Sequence, residues 1–419
     1  MFATAAASVR IAFLLGEFPS LSETFILDQI TALIDCGHRV SIFAERVSRD
    51  VAVHPAVSQH DLLALTHYEC LPTGFWPRIT GLPPVWRWRL PMWRSLNVVR
   101  YGGYAASLRL AWAVQMVEQC GEFDIIQCHF GALGLKAVLL RNIGALSGRI
   151  VTAFHGEDIT NYPKQFAVGH YDRLFAGGDL FQPISARWND SLEALGCPMR
   201  RVKVQRMGID LTEFSMRDAP LSTDGPIRIL AVARLVQKKG LGDAIRAVAQ
   251  MQHACELVIV GDGPERESLL ALVSELRLTE TVRLPGSMTR REIVSLLQRT
   301  DIFLAPSVTA LDGDIEGIPV AIMEAMASGV PVVSTRHSGI PELVRDDVSG
   351  FLLAEGDVAG LAMRLSQLAC DASLRVRMGA AGRQIVADEF DARTLTDRLV
   401  SSYEELLAES PSWPSRDSR

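Results

Sequence analysis

The chain is predicted to be an α/β protein, because segments with the pattern of buried strands alternate with amphipathic helical segments along most of its length. This alternation occurs twice. The two series are separated by residues 206–226, which mix charged residues with Gly, Pro and Ser and so have the composition of a linker. With 419 residues, the chain is long enough for roughly two to three domains. We therefore predict two doubly wound parallel-sheet domains, at 1–205 and 206–390, that face a cleft, with 391–419 as a helix and tail that return toward the first domain.

The first series begins with a strand at 9–15, which is followed by a loop at 16–20 and a helix that ends at Cys36. Ser20 and Glu23 have the spacing of a capping box, in which each side chain pairs with the backbone N–H of the other residue. The remaining strands of this series are predicted at 39–44, 124–129, 149–155 and 181–184.

The second series continues the alternation as far as a strand at 330–335. A short helix at 320–327 begins at Pro319, whose fixed φ suits a helix start, and Gly329 follows its end. The last helix is predicted at 390–408, with a frayed tail after it. The other strands are predicted at 227–233, 256–260, 281–284, 301–305 and 330–335, and the other helices at 240–251, 264–276 and 289–300.

Composition argues against several functional classes. Apolar residues make up 48% of the chain, and the net charge of −6 argues against a general nucleic-acid-binding protein. The 7 cysteines include no C-x-x-C pair, so we expect buried thiols in a reducing cytosol rather than disulfides or a zinc site. No segment has the roughly 20 uncharged apolar residues of a membrane-spanning helix, and the apolar N-terminus is too short for a signal peptide. We therefore expect a cytoplasmic protein, either soluble or attached peripherally to a membrane.

The most informative motif runs from Glu316 to Glu324, where two carboxylates flank a predicted helix start. The unpaired N–H groups at that start can bind a phosphate. At about 1.5 Å per residue, Glu324 lies one to two helical turns further on, which suits the two ribose hydroxyls of a bound nucleotide. Glu316 lies beside the phosphate position, where a carboxylate is better suited to the hydroxyls of a sugar. Taken alone, the segment is explained equally well by a solvated acid before an ordinary capped helix.

Two cations follow the first strand of the second series. Arg234 and Lys239 lie in the loop before the next helix, where an arginine fork and a lysine charge suit a diphosphate. A solvated basic loop is the alternative. Gly261 opens a second strand-to-helix glycine loop, which by itself is a weak signal. The pair Asp312 and Asp314 resembles a D-x-D metal site, but we interpret it as a loop, because the two cations already neutralise a diphosphate.

Two histidines end predicted strands of the first series. His155 precedes Gly156, a position from which its ring can hydrogen-bond a sugar or a leaving phosphate. A histidine that is satisfied by nearby backbone explains the same pattern. His129 receives the same interpretation with less support.

Together these motifs resemble the retaining nucleotide-sugar glycosyltransferases of the GT-B fold, family 4 (group 1), in which two Rossmann-like domains face a cleft. The resemblance spans nearly the whole chain and is most specific at 316–333. The runs at 17–25, 154–158 and 206–210 are similar to the branch of the family that acts in colanic-acid and exopolysaccharide biosynthesis. The first glycine loop departs from the family's paired glycines, because only Gly16 is present.

The resemblance implies roles on the donor side. Cations and main-chain amides would bind the diphosphate of a UDP- or GDP-sugar, with no metal and no other cofactor. With no second carboxylate clearly placed as a nucleophile, retention would proceed by same-face attack of the acceptor hydroxyl while the leaving phosphate accepts its proton. The implied donor-binding residues are Arg234, Lys239, Gly261, Glu316, Gly317, Ile318 and Glu324.

The resemblance also implies two catalytic residues, Glu316, which would hold the transferred sugar, and His155, which would act near the reacting centre. Gly16, His129 and Asp158 would line the acceptor side of the cleft. The acceptor would be a lipid-linked or free saccharide.

Residues 76–112 are rich in arginine and tryptophan, and no acidic residue occurs between Glu69 and Glu118. Arginine with tryptophan suits anionic lipid headgroups, so we expect contact with the inner face of the cytoplasmic membrane. Burial of the aromatic rings between helices is the alternative, and RNA binding is a weaker one. The residues are Arg78, Arg87, Arg89, Arg94, Arg100 and Arg109, with Trp76, Trp86, Trp88, Trp93 and Trp112.

Two other functions fit a nucleotide-sugar cleft. A nucleotide-sugar epimerase or hydrolase would convert the donor without any acceptor, which a donor-only product assay would reveal. The other is a catalytically silent sugar-nucleotide-binding subunit, against which the joint presence of Arg234, Lys239, Glu316 and Glu324 argues. We therefore predict a hexosyltransferase of exopolysaccharide or surface-polysaccharide biosynthesis.

Overall fold

A computed structural model describes the chain in five ranges, at 8–20, 24–48, 54–118, 120–216 and 225–410. Three predicted features lie wholly or partly outside these ranges: the capping box that involves Glu23, part of the linker, and most of the frayed tail. The chain divides into two units. The amino-terminal unit comprises Met1–Ile184, Trp188–Gln205 and Thr396–Arg419, and the carboxyl-terminal unit comprises Ser185–Arg187 and Arg206–Leu395.

The amino-terminal unit contains a 6-stranded sheet in the order β3-β2-β1-β4-β5-β6, with every neighbouring pair parallel. Its strands are β1 (Arg10–Phe18), β2 (Arg39–Val47), β3 (Thr66–Tyr68), β4 (Ile125–His129), β5 (Arg149–Phe154) and β6 (Leu180–Pro183). Its helices are α1 (Thr24–Asp35), α2 (Pro55–Gln59), α3 (Phe75–Thr80), α4 (Leu90–Ser95), α5 (Val98–Tyr101), α6 (Gly103–Ala106), α7 (Arg109–Val117), α8 (Gly131–Ile143), α9 (Glu157–Thr160), α10 (Asp172–Gly177) and α11 (Trp188–Ala194).

The carboxyl-terminal unit contains a second 6-stranded parallel sheet, in the order β12-β11-β10-β7-β8-β9. Its strands are β7 (Ile227–Val232), β8 (Cys255–Val260), β9 (Val282–Gly286), β10 (Ile302–Ala305), β11 (Val332–Thr335) and β12 (Gly350–Leu353). Its helices are α12 (Leu241–Ala249), α13 (Arg266–Glu275), α14 (Arg290–Leu297), α15 (Val320–Ala327), α16 (Ile340–Leu343), α17 (Val358–Cys370) and α18 (Ala372–Glu389), and α19 (Ala392–Ala408) runs from this unit into the other.

Helices cover both faces of these sheets, which is why the strands read as continuous apolar runs. Both β4 and β5 are buried at every position. In β7, Ile229 belongs to one apolar cluster and its neighbour Leu230 to another, because successive side chains of a strand point to opposite faces. Two layers of core therefore hold each sheet in place.

The predicted loop at 16–20 is wrong for its first half, because β1 continues to Phe18. Glu17 pairs with Arg46 and Phe18 with Val47, since β2 also runs further than predicted. Phe18 is 3% exposed, so burial of its ring favours the longer strand. Gly16 consequently lies inside a strand rather than in a glycine loop.

Both sheets reverse their strand order at one place, between β1 and β4 in the first and between β7 and β10 in the second. In open α/β sheets, ligands bind outside the carboxyl ends of the strands at this reversal. A ligand is therefore expected at the loops that follow β7 and β10 in the carboxyl-terminal unit, and at those that follow β1 and β4 in the other.

Candidate functional site

Two glycines fix the loop that follows β7. Gly261, after β8, has a φ of +135°, and a Cβ there would lie 1.9 Å from the carbonyl oxygen of Ala233. Gly240, at the end of the loop, has a φ of +61°, and its Cβ would lie 1.9 Å from the carbonyl oxygen of Pro306. No side chain fits at either place. Gly261 thus holds the segment that carries Arg234, and its contact with a donor stays a prediction.

Lys239 and Glu316 form an ion pair that joins the loop after β7 to the loop after β10. Their side chains are only 17% and 13% exposed, so solvent screens the pair weakly. Burial by itself raises the pKa of Glu316, but Lys239 and then Lys238 outweigh it and hold that pKa below its ordinary value. Glu316 is therefore an anion at neutral pH, with a lysine beside it.

Lys238 fastens the acidic D-x-D loop in the same way. Its Nζ lies 2.9 Å from Asp314 Oδ2, and Asp312 Oδ1 accepts the Asp314 N–H at 2.9 Å. These contacts agree with the loop interpretation of the two aspartates. Among the residues that the structure describes, no group of three or more His, Cys, Asp or Glu side chains is arranged to hold a metal ion.

His337 positions the backbone of Glu316. Its Nε2 accepts the Glu316 N–H at 2.9 Å, so its Nδ1 carries the proton and donates to Glu355 Oε1 at 2.6 Å. Glu355 in turn accepts the Thr309 N–H at 2.8 Å. Burial raises the pKa of Glu355, but the hydrogen bond from His337 and that from Thr309 bring it below its ordinary value. Hydrogen bonds through the buried His337 ring thus help to position the Glu316 loop.

Helix α15 has the predicted bounds, 320–327, although Pro319 stands before the first helical residue, as the capping residue with a ψ of 118°, and not within the first turn. The Gly317 main chain, next to Glu316, is a further influence that lowers the pKa of the Glu316 carboxyl. Ile318 is 3% exposed, and its Cγ1 would lie 2.7 Å from a Cβ at Gly339. Its side chain therefore belongs to the core, and only its main chain is available to a ligand. Glu324 is half-buried further along the helix.

Arg234 differs from the lysines, because its side chain is exposed and has no hydrogen bond or ion pair with any residue in the described ranges. The loop that carries it is nevertheless ordered by neighbours: the Leu235 N–H donates to the Asp262 carbonyl at 2.9 Å, and the Glu265 N–H donates to the Leu235 carbonyl at 3.0 Å. A fixed backbone with an unpaired guanidinium suits an incoming anion.

In the amino-terminal unit the structure brings His129, His155 and Asp158 together. His129 Nδ1 and His155 Nε2 share a hydrogen bond of 3.0 Å, and within the described residues the other nitrogen of each ring has no partner. Phe25 and Phe130 lie 4.9 and 4.7 Å from the His155 ring centre. Burial lowers the pKa of His155 to about 3 and that of His129 well below its ordinary value. Both rings are therefore neutral, and the second nitrogen of each is buried without a partner among the described residues.

Asp158 ties the ends of two strands together. Its carboxylate accepts the N–H groups of His155 at 2.9 Å, Gly156 at 3.0 Å and Gly131 at 3.0 Å. Burial raises its pKa to about 6 in spite of these bonds. These contacts give Asp158 the role of holding His155 in place. Its predicted contact with an acceptor stays a prediction, as does that of Gly16, whose Cβ position has no atom within 4 Å.

Sequence reasoning missed a second polar cluster in this unit, at the carboxyl ends of β2 and β3. Lys136, from α8, forms ion pairs with Glu69 and, at 2.8 Å, with Glu45. Lys136 and Glu69 are 9% and 4% exposed at their side chains. Burial raises the pKa of Glu69 above its ordinary value, and the opposing effect of Lys136 does not fully offset it. The pair is thus a buried charge pair next to the strand ends.

Comparison with known proteins identifies the chain. Residues 213–385 match the family model of glycosyl transferases group 1, and residues 22–213 match that of glycosyltransferase family 4. WcaL of Escherichia coli (strain K12), named for colanic acid biosynthesis, is 39% identical over 95% of this chain and 100% of its own length. AmsK of Erwinia amylovora, named an amylovoran biosynthesis glycosyltransferase, is 40% identical over 95% of this chain and 100% of its own. The chain belongs to this family of glycosyltransferases.

Solved structures confirm the predicted GT-B fold of the glycosyltransferase. HepE of Anabaena, crystallised with UDP and glucose, has a TM-score of 0.71 at 19% identity and covers 95% of this chain and 100% of its own. A glycosyltransferase from Rickettsia africae has a TM-score of 0.71 at 16% identity, covering 97% and 100%. Identities this low show the fold alone, so residue roles rest on the geometry above.

Proposed function

We propose that this glycosyltransferase moves a sugar from a UDP- or GDP-sugar to a saccharide of an exopolysaccharide pathway, with retention of anomeric configuration and without a metal. The ion pair of Lys239 and Glu316 beside the start of α15 is the observation that supports this most directly. It combines a cation for a diphosphate, a carboxylate for a sugar and free helical N–H groups for phosphate oxygens. HepE, with UDP and glucose bound, and the names of WcaL and AmsK point in the same direction.

The donor diphosphate takes over the cation that is paired with Glu316. Arg234 and Lys239 bind the phosphate oxygens, and Glu316, released from Lys239, accepts the hydroxyls of the sugar. Glu324 accepts the ribose hydroxyls from its place in α15. The main-chain amide of Gly317 binds a phosphate oxygen beside these cations.

In the reaction, the bond from the sugar C1 to the phosphate oxygen breaks and a bond from C1 to the acceptor oxygen forms on the same face. The acceptor hydroxyl gives its proton to the leaving phosphate. Negative charge develops on that phosphate, and pre-placed cations with helical N–H groups stabilise it without reorganising. His155 is proposed to assist near the reacting centre.

The acceptor is proposed to be lipid-linked, which places the reaction at the cytoplasmic face of the membrane. Among the described helices, none has both the length and the apolar character needed to cross a bilayer. Attachment would then be peripheral.

A two-stage experiment tests this function. A panel of UDP- and GDP-sugars is first screened by thermal shift, because a ligand that binds only the folded state raises its stability by mass action. The best donor is then incubated with oligosaccharide acceptors in excess chelator, and the new glycosidic linkage is assigned by NMR. We expect one nucleotide series to stabilise the protein and a product with the donor's anomeric configuration. An inverted product, a requirement for added metal, or donor turnover without acceptor would each contradict part of the proposal.

A further inference from the structure

The short helices between β3 and α7 expose large apolar side chains in a way that soluble surfaces rarely do. Trp76 is 74% exposed, Trp86 85% and Val99 100%. Single exposed apolar residues need no explanation, but a group of them on one segment marks a surface that binds something. We call 75–100 the arginine–tryptophan segment. Its further exposed apolar members are Phe75, Ile79, Val85, Leu90, Trp93 and Val98.

Burial of aromatic rings, the alternative raised by the sequence, holds for only part of the segment and its surroundings. Trp88 donates its indole N–H to the Pro83 carbonyl at 2.7 Å, and Trp112 donates to the Arg78 carbonyl at 3.1 Å. These two hydrogen bonds link the short helices between β3 and α7 to one another and to α7. Trp93, 51% exposed, packs edge-on against Trp88. Trp76 and Trp86 donate no hydrogen bond to a residue in the described ranges, so their exposed rings remain available to a partner.

A polar cavity lies beside the arginine–tryptophan segment. Its volume is about 140 Å³, well above the ~10–15 Å³ that one water molecule needs. Its lining supplies hydrogen-bond donors and no carboxylate. Asn97 accepts the Arg100 N–H at 3.0 Å and so fixes the turn that carries both residues. The Arg100 guanidinium lies 5.7 Å from the Tyr101 ring centre. The lining residues are Arg94, Asn97, Arg100, Tyr101 and Asn142.

Charge selects the kind of ligand. The 48 positions from 70 to 117 contain no acidic residue and six arginines, although the whole chain has a net charge of −6. A cavity of arginine forks and amide groups binds the oxygens of a phosphate. Val98 and Val99 stand between Asn97 and Arg100 in the chain and are 52% and 100% exposed. An anionic group with an apolar layer next to it matches both features, whereas a nucleic acid offers no place for bare valines.

We infer that this cavity binds the phosphate of an anionic phospholipid headgroup while the exposed tryptophans and valines of the segment enter the neighbouring acyl region of the bilayer. The inference rests on the proposed function, because a lipid-linked acceptor is reached only by an enzyme at the membrane surface. It adds to that function a specific headgroup site. Docking then combines apolar burial with charge attraction, the two contributions that hold interfacial proteins on anionic membranes.

Vesicle co-sedimentation of the full chain tests the site, with matched arginine variants. Vesicles of phosphatidylcholine alone are compared with vesicles that also contain phosphatidylglycerol, with no nucleotide sugar present. Arg100→Gln removes a cavity cation, and Arg89→Gln removes an exposed cation of the same segment outside the cavity. We expect binding to anionic vesicles to weaken roughly tenfold or more for Arg100→Gln, as for a lost charge-assisted hydrogen bond, and roughly fivefold or less for Arg89→Gln. Trp86→Ala is expected to weaken binding to both kinds of vesicle.

Each other outcome overturns a stated part of the inference. Equal losses in the two arginine variants would show diffuse attraction and remove the headgroup site. Equal sedimentation with both vesicle types would remove the anionic headgroup, and no sedimentation would remove docking altogether. If glycerol 3-phosphate bound while vesicles did not, the cavity would be a site for a soluble anion. Because the assay contains no donor, its failure leaves the transferase proposal intact, and a failure of sugar transfer does not alter vesicle binding.

Discussion

Replacing His337 with phenylalanine tests whether transfer depends on holding the Glu316 loop in one position. The imidazole is 1% exposed and makes two hydrogen bonds, at 2.9 Å to the Glu316 N–H and 2.6 Å to Glu355. Phenylalanine keeps a ring of similar size and neither bond. A buried N–H left unpaired destabilises a protein by about 1–3 kcal/mol, which we expect in the free energy of unfolding. If Glu316 moves to recover a partner, a similar loss in the transition state lowers kcat/KM roughly 5- to 150-fold.

The assay measures kcat and KM for the donor found by thermal shift, together with urea unfolding of each variant. His337→Gln keeps one acceptor and one donor on a side chain of similar reach, so it should recover part of both losses. His253→Phe is the control, because His253 is exposed on the same unit and, within the described ranges, its side chain hydrogen-bonds to Cys370 alone, at 2.9 Å. Stability lost without any fall in kcat/KM in His337→Phe would refute the positioning role of His337.

Two further predictions concern the amino-terminal unit. Lys136→Met leaves Glu69 buried without its cation, so we expect the free energy of unfolding to fall by about 3–5 kcal/mol. The control Lys203→Met removes an exposed ion pair and should cost at most about 1 kcal/mol. Similar losses for the two variants in urea unfolding would contradict this prediction. The folded protein protonates His155 only near pH 3, whereas the unfolded chain does so near 6.5. The free energy of unfolding should therefore decrease as the pH is lowered from 6.5 to 3, by up to about 1.4 kcal/mol per pH unit. Asp158 opposes this trend between about pH 6 and 3.8, since its folded form takes up a proton first. His155→Gln should flatten the fall, and an unchanged pH slope would show that burial of this ring is not its cause.

The sequence predicted an element's bounds correctly where residues that typically begin and end such an element stand at both of its ends. Helix α15 has the predicted bounds because Pro319 and Gly329 mark its two ends. The strand at 9–15 was predicted too short, because Gly16 and Pro19 resemble a loop when the pairing partner is unknown. Its extension depends on β2, which runs alongside it to Val47. Local pattern does not contain that information.

The residues that sequence reasoning missed trace to two edge strands that it also missed. β3 has 3 residues, too few to show a period, and β12 was missed although it is as long as the predicted strands β10 and β11, with 4 residues each. Glu69 directly follows β3, and Glu355 lies two positions after β12, so the pairing of these acids with Lys136 and His337 could not be inferred. His337 itself follows β11, and the strand-end rule that selected Arg234 would have found it. Ile318 was placed correctly in the motif, but its side chain proved to be part of the core.

The central claim is that the loop after β7 binds the diphosphate of a sugar nucleotide, and Arg234→Ala tests it most directly. Arg234 is exposed and unpaired within the described ranges, so its loss should not alter the fold, whereas removing Lys239 would leave Glu316 buried without its partner. Calorimetric titration with UDP and with GDP compares the wild type, Arg234→Ala and the control Arg283→Ala, an exposed arginine of β9. The account predicts that one nucleotide binds the wild type and the control equally and Arg234→Ala about 10- to 150-fold more weakly, the value of one charge-assisted hydrogen bond. Equal affinity in all three proteins would contradict it.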